Sequence, residues 1–167
     1  MSLPLAAVGA IVAALLETSL LPGLGGAVPK PDLVFAMTIV AAMMMGVEDG
    51  LTWAFLGGLM LDVLLAERAL GATSMVLLVC AGLAIVAARL LPQRRVVLVA
   101  ASVLVLSIVY QSLVLLVLSA TTDLAMPGSP VAMMLPSALL DAALALPAAA
   151  AARWLWLRLG EHDRIEW

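Results

Sequence analysis

Three carboxyl side chains stand inside apolar runs of this chain: Glu17, Asp62 and Asp141. An ionised Asp at the centre of a bilayer costs roughly 2.5–3.5 kcal/mol on insertion scales, so such residues turn toward a bundle interior, a cavity or a partner. Three kinds of chemistry are open to them. They can hold a helix bundle together through hydrogen bonds, form a contact site for another membrane protein, or line a pathway for an ion or small molecule. Lys30 and Arg68 are the basic residues expected on the same side and are candidate partners. No catalytic or metal constellation accompanies them. There is no GxxxxGK[ST] phosphate loop and no Cys/His cluster with ligand spacing. The lone His162 sits in a charged tail, where it is read as solvated, so no Ser–His or Cys–His pair can be assembled. No catalytic residue, metal ligand or cofactor is assigned, and the sequence argues for a binding or scaffolding protein over an enzyme.

The elements that carry the acids are helices. Residues three or four apart share a helix face. Ala54, Gly58 and Asp62 align on one helix, Ser137, Asp141, Ala145 and Ala149 on another, and Ala6, Ala10, Ala13 and Glu17 on a third. Each acid therefore lies on a row of small residues. In lipid, packing rather than water expulsion drives helix association, and small residues let backbones approach. All three rows are expected to face protein. Glu17 and Asp62 fall about one turn from the outer ends of their helices, and Asp141 roughly 15 Å deep at 1.5 Å per residue.

The composition requires a lipid-facing exterior. Of 167 residues, 65% are hydrophobic and 11% charged, with a mean hydropathy of +1.21. Soluble domains average about 45–50% apolar and about 25% charged, and a chain this short cannot bury such an excess. Soluble enzymes, nucleic-acid modules, disordered tails and disulfide scaffolds are excluded as first readings. A net charge of −3 points to neither nucleic acid nor an anionic lipid surface. The single Cys80 lies in an apolar run and forms no disulfide. No Lys or Arg precedes the first apolar run, so that run is expected to remain as a helix rather than be cleaved as a signal peptide.

A bilayer core needs about 20 apolar residues per helix. Six runs fit, near residues 4–21, 32–47, 50–66, 70–91, 96–119 and 131–157, with a short cytoplasmic tail over 158–167. The breaks are rich in Gly, Pro and charge: Pro22–Pro31, Gly46–Gly50, Glu67–Arg68, Pro92–Arg95 and Asp123–Pro130. Arg89, Arg94, Arg95, Arg153, Arg158 and Arg164 collect on one side, and Lys30 and Arg68 on the other. The basic side is cytoplasmic, which places both termini inside. The expectation is an all-α, six-helix membrane bundle forming one domain, with Trp154 and Trp156 anchoring the last helix at the interface. Ser107 and Gln111 share a face beside Tyr110 and are candidate donors between helices, and Pro147 should kink the last helix. Met43–Met45, Met133 and Met134 are read as adaptable packing.

One stretch carries a family pattern. Lys30-Pro31-Asp32-Leu33 opens the second helix, Phe55-Leu56-Gly57-Gly58-Leu59-Met60-Leu61-Asp62-Val63-Leu64 ends the third, and Leu70-Gly71 opens the fourth. This resembles the rod shape-determining protein MreD family, in which Pro-Asp or Pro-Asn begins the second helix and a Gly-rich helix ends in an aspartate followed by Leu-Gly. At 141 the family pattern has a polar residue, often Asn, and the acid here departs from it. The resemblance implies a scaffold of cell-wall elongation in the bacterial cytoplasmic membrane. It also implies binding to the single-span protein MreC and membership of a complex with the actin-like MreB and the glycosyltransferase/transpeptidase pair. Pro31, Asp32, Gly57, Gly58, Asp62 and Gly71, with Glu17 and Asp141, are the residues it points to for partner binding or structure. Gly57, Gly58 and Gly71 are expected to admit a partner helix. The family also resembles the S components of energy-coupling-factor vitamin transporters, which supplies the alternative. On that reading Ala6, Ala10 and Ala14 would meet a coupling subunit. A third reading, an ion-coupled carrier, would use Glu17, Asp62 and Asp141 directly.

Overall fold

The computed structural model describes residues 3–20, 31–65, 70–90, 96–121 and 130–159. These form six helices and, among the described residues, no strand: α1 Leu3–Leu20, α2 Leu33–Met44, α3 Val47–Leu64, α4 Ala72–Leu90, α5 Val96–Thr121 and α6 Pro130–Leu159. Three segments are long and apolar enough to cross a membrane: Ala72–Leu90, Val96–Val117 and Met134–Trp154. α1 and α2 contribute shorter apolar stretches.

The short helix α2 is the axis of the fold and touches each of the other five. Its sequence suits that place, because nine of its residues, from Val34 to Met43, are buried and all but Thr38 are apolar. Thr38 satisfies its hydroxyl locally by donating to the Val34 carbonyl at 2.7 Å, so its burial leaves no unmet donor. Phe35 stacks on Tyr110 of α5 with ring centroids 4.8 Å apart.

Sequence reading puts a break across Gly46–Gly50, but the turn is much tighter. Glu48, Asp49 and Gly50 already belong to α3. Acidic residues in a first turn complement the positive end of the helix dipole, which is why this polar cluster begins a helix here. The reversal falls on Gly46, at φ 124°, a conformation that a residue with a Cβ avoids. Gly50 then lies so close to α2 that a Cβ on it would stand 2.5 Å from Ala42 Cα.

α6 runs unbroken through Pro136 and Pro147. Pro147 offers no N–H, so the Ala143 carbonyl loses its usual helical donor. The lone Cys80 is buried in the core. Trp53, 4% exposed, lies over Gly9 of α1. Its indole N–H has no hydrogen-bond partner among the described residues.

Candidate functional site

A helix leaves its first N–H groups without acceptors in its own ladder, and inside a membrane no water is available to supply them. Neither α2 nor α4 caps itself with a side chain. Asp32, the residue before α2, makes no side-chain cap hydrogen bond. The residue before α4 is Gly71, which has no side chain to offer. The three sequence-predicted acids supply the missing acceptors from other helices.

Asp62, near the end of α3, faces the start of α4. One carboxyl oxygen accepts from the Gly71 N–H at 2.9 Å and from the Ser74 N–H at 3.4 Å. The other accepts from the Thr73 N–H at 3.1 Å. Gly71 reaches this position at φ 90°, in the region glycine adopts without steric penalty. Its carbonyl then begins the helix ladder by accepting from the Met75 N–H at 2.9 Å. Asp62 is 1% exposed.

Two acids converge on the start of α2. Glu17 of α1 accepts from the Val34 N–H at 2.8 Å, and Asp141 of α6 accepts from the Asp32 N–H at 2.7 Å. The other oxygen of Asp141 accepts from the Ser107 hydroxyl of α5. Ser107 in turn accepts from the Gln111 side-chain amide at 3.0 Å, and Gln111 accepts from the Ser137 hydroxyl of α6 at 3.1 Å. A polar chain thus links α6, α5 and the N-terminus of α2 through a mostly apolar interior. Asp141 and Ser107 are both fully buried. Ser107 and Gln111, read from the sequence as interhelical donors, are joined here to the acid they support.

The rows of small residues all turn inward. Ala54, Gly58 and Asp62 are buried, as are Ser137, Asp141, Ala145 and Ala149, and Ala6, Ala10 and Ala13, while Glu17 at the end of its row is half-buried. Their partners are helices of the same chain. A Cβ on Gly57 would stand 2.6 Å from Val34 Cγ1, and one on Gly58 2.5 Å from Ser74 Cα. The Gly57–Gly58 row is therefore filled by α2 and α4 of the same chain rather than left open. Likewise, Ala6, Ala10 and Ala14 are not free to meet a coupling subunit. Pro31 and Asp32 are half-buried at the α2 entry.

Lys30, Arg68, Arg94, Arg95, His162 and Arg164 lie outside the described residues, so their expected pairings and placement lie there too. The same is true of the Trp156 and Arg158 side chains. Among the described residues no group of three His, Cys, Asp or Glu side chains is placed to hold a metal ion.

Sequence reasoning missed what the acids bind, namely backbone N–H groups rather than cations. A signal was present. Pro31-Asp32 and Leu70-Gly71 are both helix-entry sequences, and each entry is met by an acid of another helix.

The family model of the rod shape-determining protein MreD matches residues 5–159. The chain belongs to the MreD family. Comparison with curated proteins and with solved structures finds no match. The MreD match takes in all three acids, both helix entries they serve and the Ser107–Gln111–Ser137 chain. At the level of the family, the role is in rod shape determination.

Proposed function

We propose that this MreD-family chain is a non-enzymatic scaffold of the cell-wall elongation machinery. It spans the bacterial cytoplasmic membrane six times with both termini inside, binds MreC, and helps to organise MreB and the glycosyltransferase/transpeptidase pair. One observation carries the reading: Glu17, Asp62 and Asp141 each hold a helix N-terminus of the same chain. Carboxyl groups committed to architecture suit a rigid platform. An ion-coupled carrier needs acids that exchange their partners during a cycle. The vitamin-transporter alternative loses support because its Ala6–Ala10–Ala14 contact row is buried.

With the glycine row filled, MreC docks on the outer apolar faces of the bundle. Exposed side chains there include Met75 and Val79 of α4 and Val97 and Val105 of α5. Affinity purification in mild detergent tests the reading. MreC should co-purify, and alanine changes at Met75, Val79, Val97 and Val105 should release it without loss of the folded protein. Recovery of the chain with ATPases and a coupling subunit, or alone under conditions that keep the complex intact, would refute the scaffold role.

A further inference from the structure

Asp141 differs from Asp62 in what surrounds it. The hydrogen bonds to Asp62 all come from backbone N–H groups, those of Gly71, Thr73 and Ser74. An N–H has no lone pair, so a hydrogen on that carboxyl would find no acceptor among them. Asp141 divides its oxygens. Oδ1 accepts from the Asp32 N–H at 2.7 Å, and Oδ2 accepts from the Ser107 hydroxyl, a group that can donate or accept. The chain beyond Ser107 has the same property. Gln111 donates to Ser107 through Nε2 at 3.0 Å and accepts from Ser137 through Oε1 at 3.1 Å. The Ser137 hydroxyl has one hydrogen and a second acceptor within reach, the Met134 carbonyl at 3.0 Å. As the chain stands, every hydrogen in it points toward Asp141.

We infer that Asp141 is a proton-binding site whose supporting chain reverses direction when the carboxyl is neutralised, so that the cap on α2 stays closed in both states. A proton on Oδ2 donates to Ser107 Oγ. Ser107 then donates to Gln111 Oε1, the Gln111 carboxamide makes a half-turn that brings Nε2 to Ser137 Oγ, and Ser137 donates to the Met134 carbonyl. One proton is added, each of these groups keeps a partner, and Oδ1 still accepts from the Asp32 N–H. Asp141 exchanges no partner, so the switch suits a rigid bundle, and it does not depend on MreC binding. The other titratable groups near this entry are Asp32 itself, Glu17 at the Val34 N–H and the Tyr110 phenol, whose ring stacks on Phe35. α2 and α5 hold no Lys, Arg or His. Arg153 of α6 lies twelve residues on, about 18 Å along the helix. No cation on these three helices offsets the carboxyl group, so either protonation state is carried by hydrogen bonds.

Nuclear magnetic resonance on the full chain in lipid nanodiscs tests both ends of the chain. Asp141→Asn supplies a neutral group with an acceptor oxygen and a donor nitrogen. In this variant the Gln111 side-chain N–H₂ should show contacts to the Ser137 β-protons, in place of the contacts to the Ser107 β-protons in the wild type at alkaline pH. Amide exchange at Asp32 should stay within about threefold of wild type in Asp141→Asn, whereas Asp141→Ala should speed it about tenfold, the factor that about 1.4 kcal/mol of lost hydrogen bonding yields. Acidifying the wild type should turn the Gln111 amide the same way, with Asp32 still protected. The same amide orientation in Asp141→Asn as in the alkaline wild type would overturn the proposal. So would loss of Asp32 protection or of the folded protein in that variant, loss of Asp32 protection as the amide turns in acid, or a Gln111 amide that keeps to Ser107 until acid unfolds the wild type.

Discussion

Replacing Asp62 by Ala removes the acceptor for three backbone N–H groups of α4 and leaves them in a buried site. The bonds are unequal. Those from Gly71 at 2.9 Å and Thr73 at 3.1 Å fall within the normal range, while the Ser74 bond at 3.4 Å is weak. An unmet buried donor costs about 1–3 kcal/mol, and loss of an ordinary N-cap about 0.5–2 kcal/mol. Two good bonds therefore place the effect of Asp62→Ala at about 2–6 kcal/mol. Asp62→Asn keeps one carbonyl oxygen, but turns an amide N–H₂ toward another donor, so it should fall between wild type and Ala. The assay is reversible unfolding in lipid bicelles by steric trapping, with thermal unfolding in mild detergent as a second readout. Asp62→Ala as stable as wild type, or Asn less stable than Ala, would refute the capping argument.

Gly58→Ala should destabilise by about 1–3 kcal/mol, as overpacking does, because its Cβ meets Ser74 backbone atoms at 2.5 and 2.8 Å; unfolding in bicelles reads this. Gly82→Ala is the contrasting case. Nothing lies within 4 Å of the new methyl group, so helix propensity should raise stability by up to about 1 kcal/mol, and a clear loss would count against the packing described. Gly46→Ala should cost about 1–3 kcal/mol from its backbone conformation alone, φ 124° and ψ 175°, since no atom lies within 4 Å of the added carbon. In a double-mutant cycle, Ser107→Ala and Asp141→Ala should couple by at least about 0.6 kcal/mol, the mean for hydrogen bonds between membrane helices; strict additivity would mean that the pair makes no effective bond.

Much of this architecture is legible in the sequence because lipid enforces simple rules. The apolar runs give six helices, and the small-residue rows predict which faces turn inward, since Ala6, Ala10, Gly58 and Ala145 have no other use at helical spacing. Two matters were hidden. The first is the α2–α3 junction, where a Gly-flanked acidic cluster looks like a loop. Only the dipole preference of Glu48 and Asp49, and the fit of Gly50 against Ala42, make it a helix start. The second is the identity of the acceptors' partners. Charge matching suggests Lys and Arg, and the helix-entry pairs Pro31-Asp32 and Leu70-Gly71 mark where free backbone N–H groups lie without saying which acid meets them. Gly71 goes furthest, because its positive φ and missing side chain require the acceptor to come from elsewhere. Nor does spacing along one helix say whether a glycine row meets its own chain or another. That depends on the long-range arrangement that puts α4 beside Gly58 and α2 beside Gly57.

Carboxyl groups from α1, α3 and α6 close the N-termini of α2 and α4. Residue-resolved amide hydrogen exchange on the protein in nanodiscs addresses this directly, at Asp32, Val34, Gly71 and Thr73. Exchange at these four sites should be as slow as in the first full turns of α5, and Asp62→Asn should accelerate Gly71 and Thr73 while leaving Asp32 and Val34 protected. Rapid exchange at all four in the wild-type protein, or an Asp62→Asn response spread evenly over both helices, would contradict it.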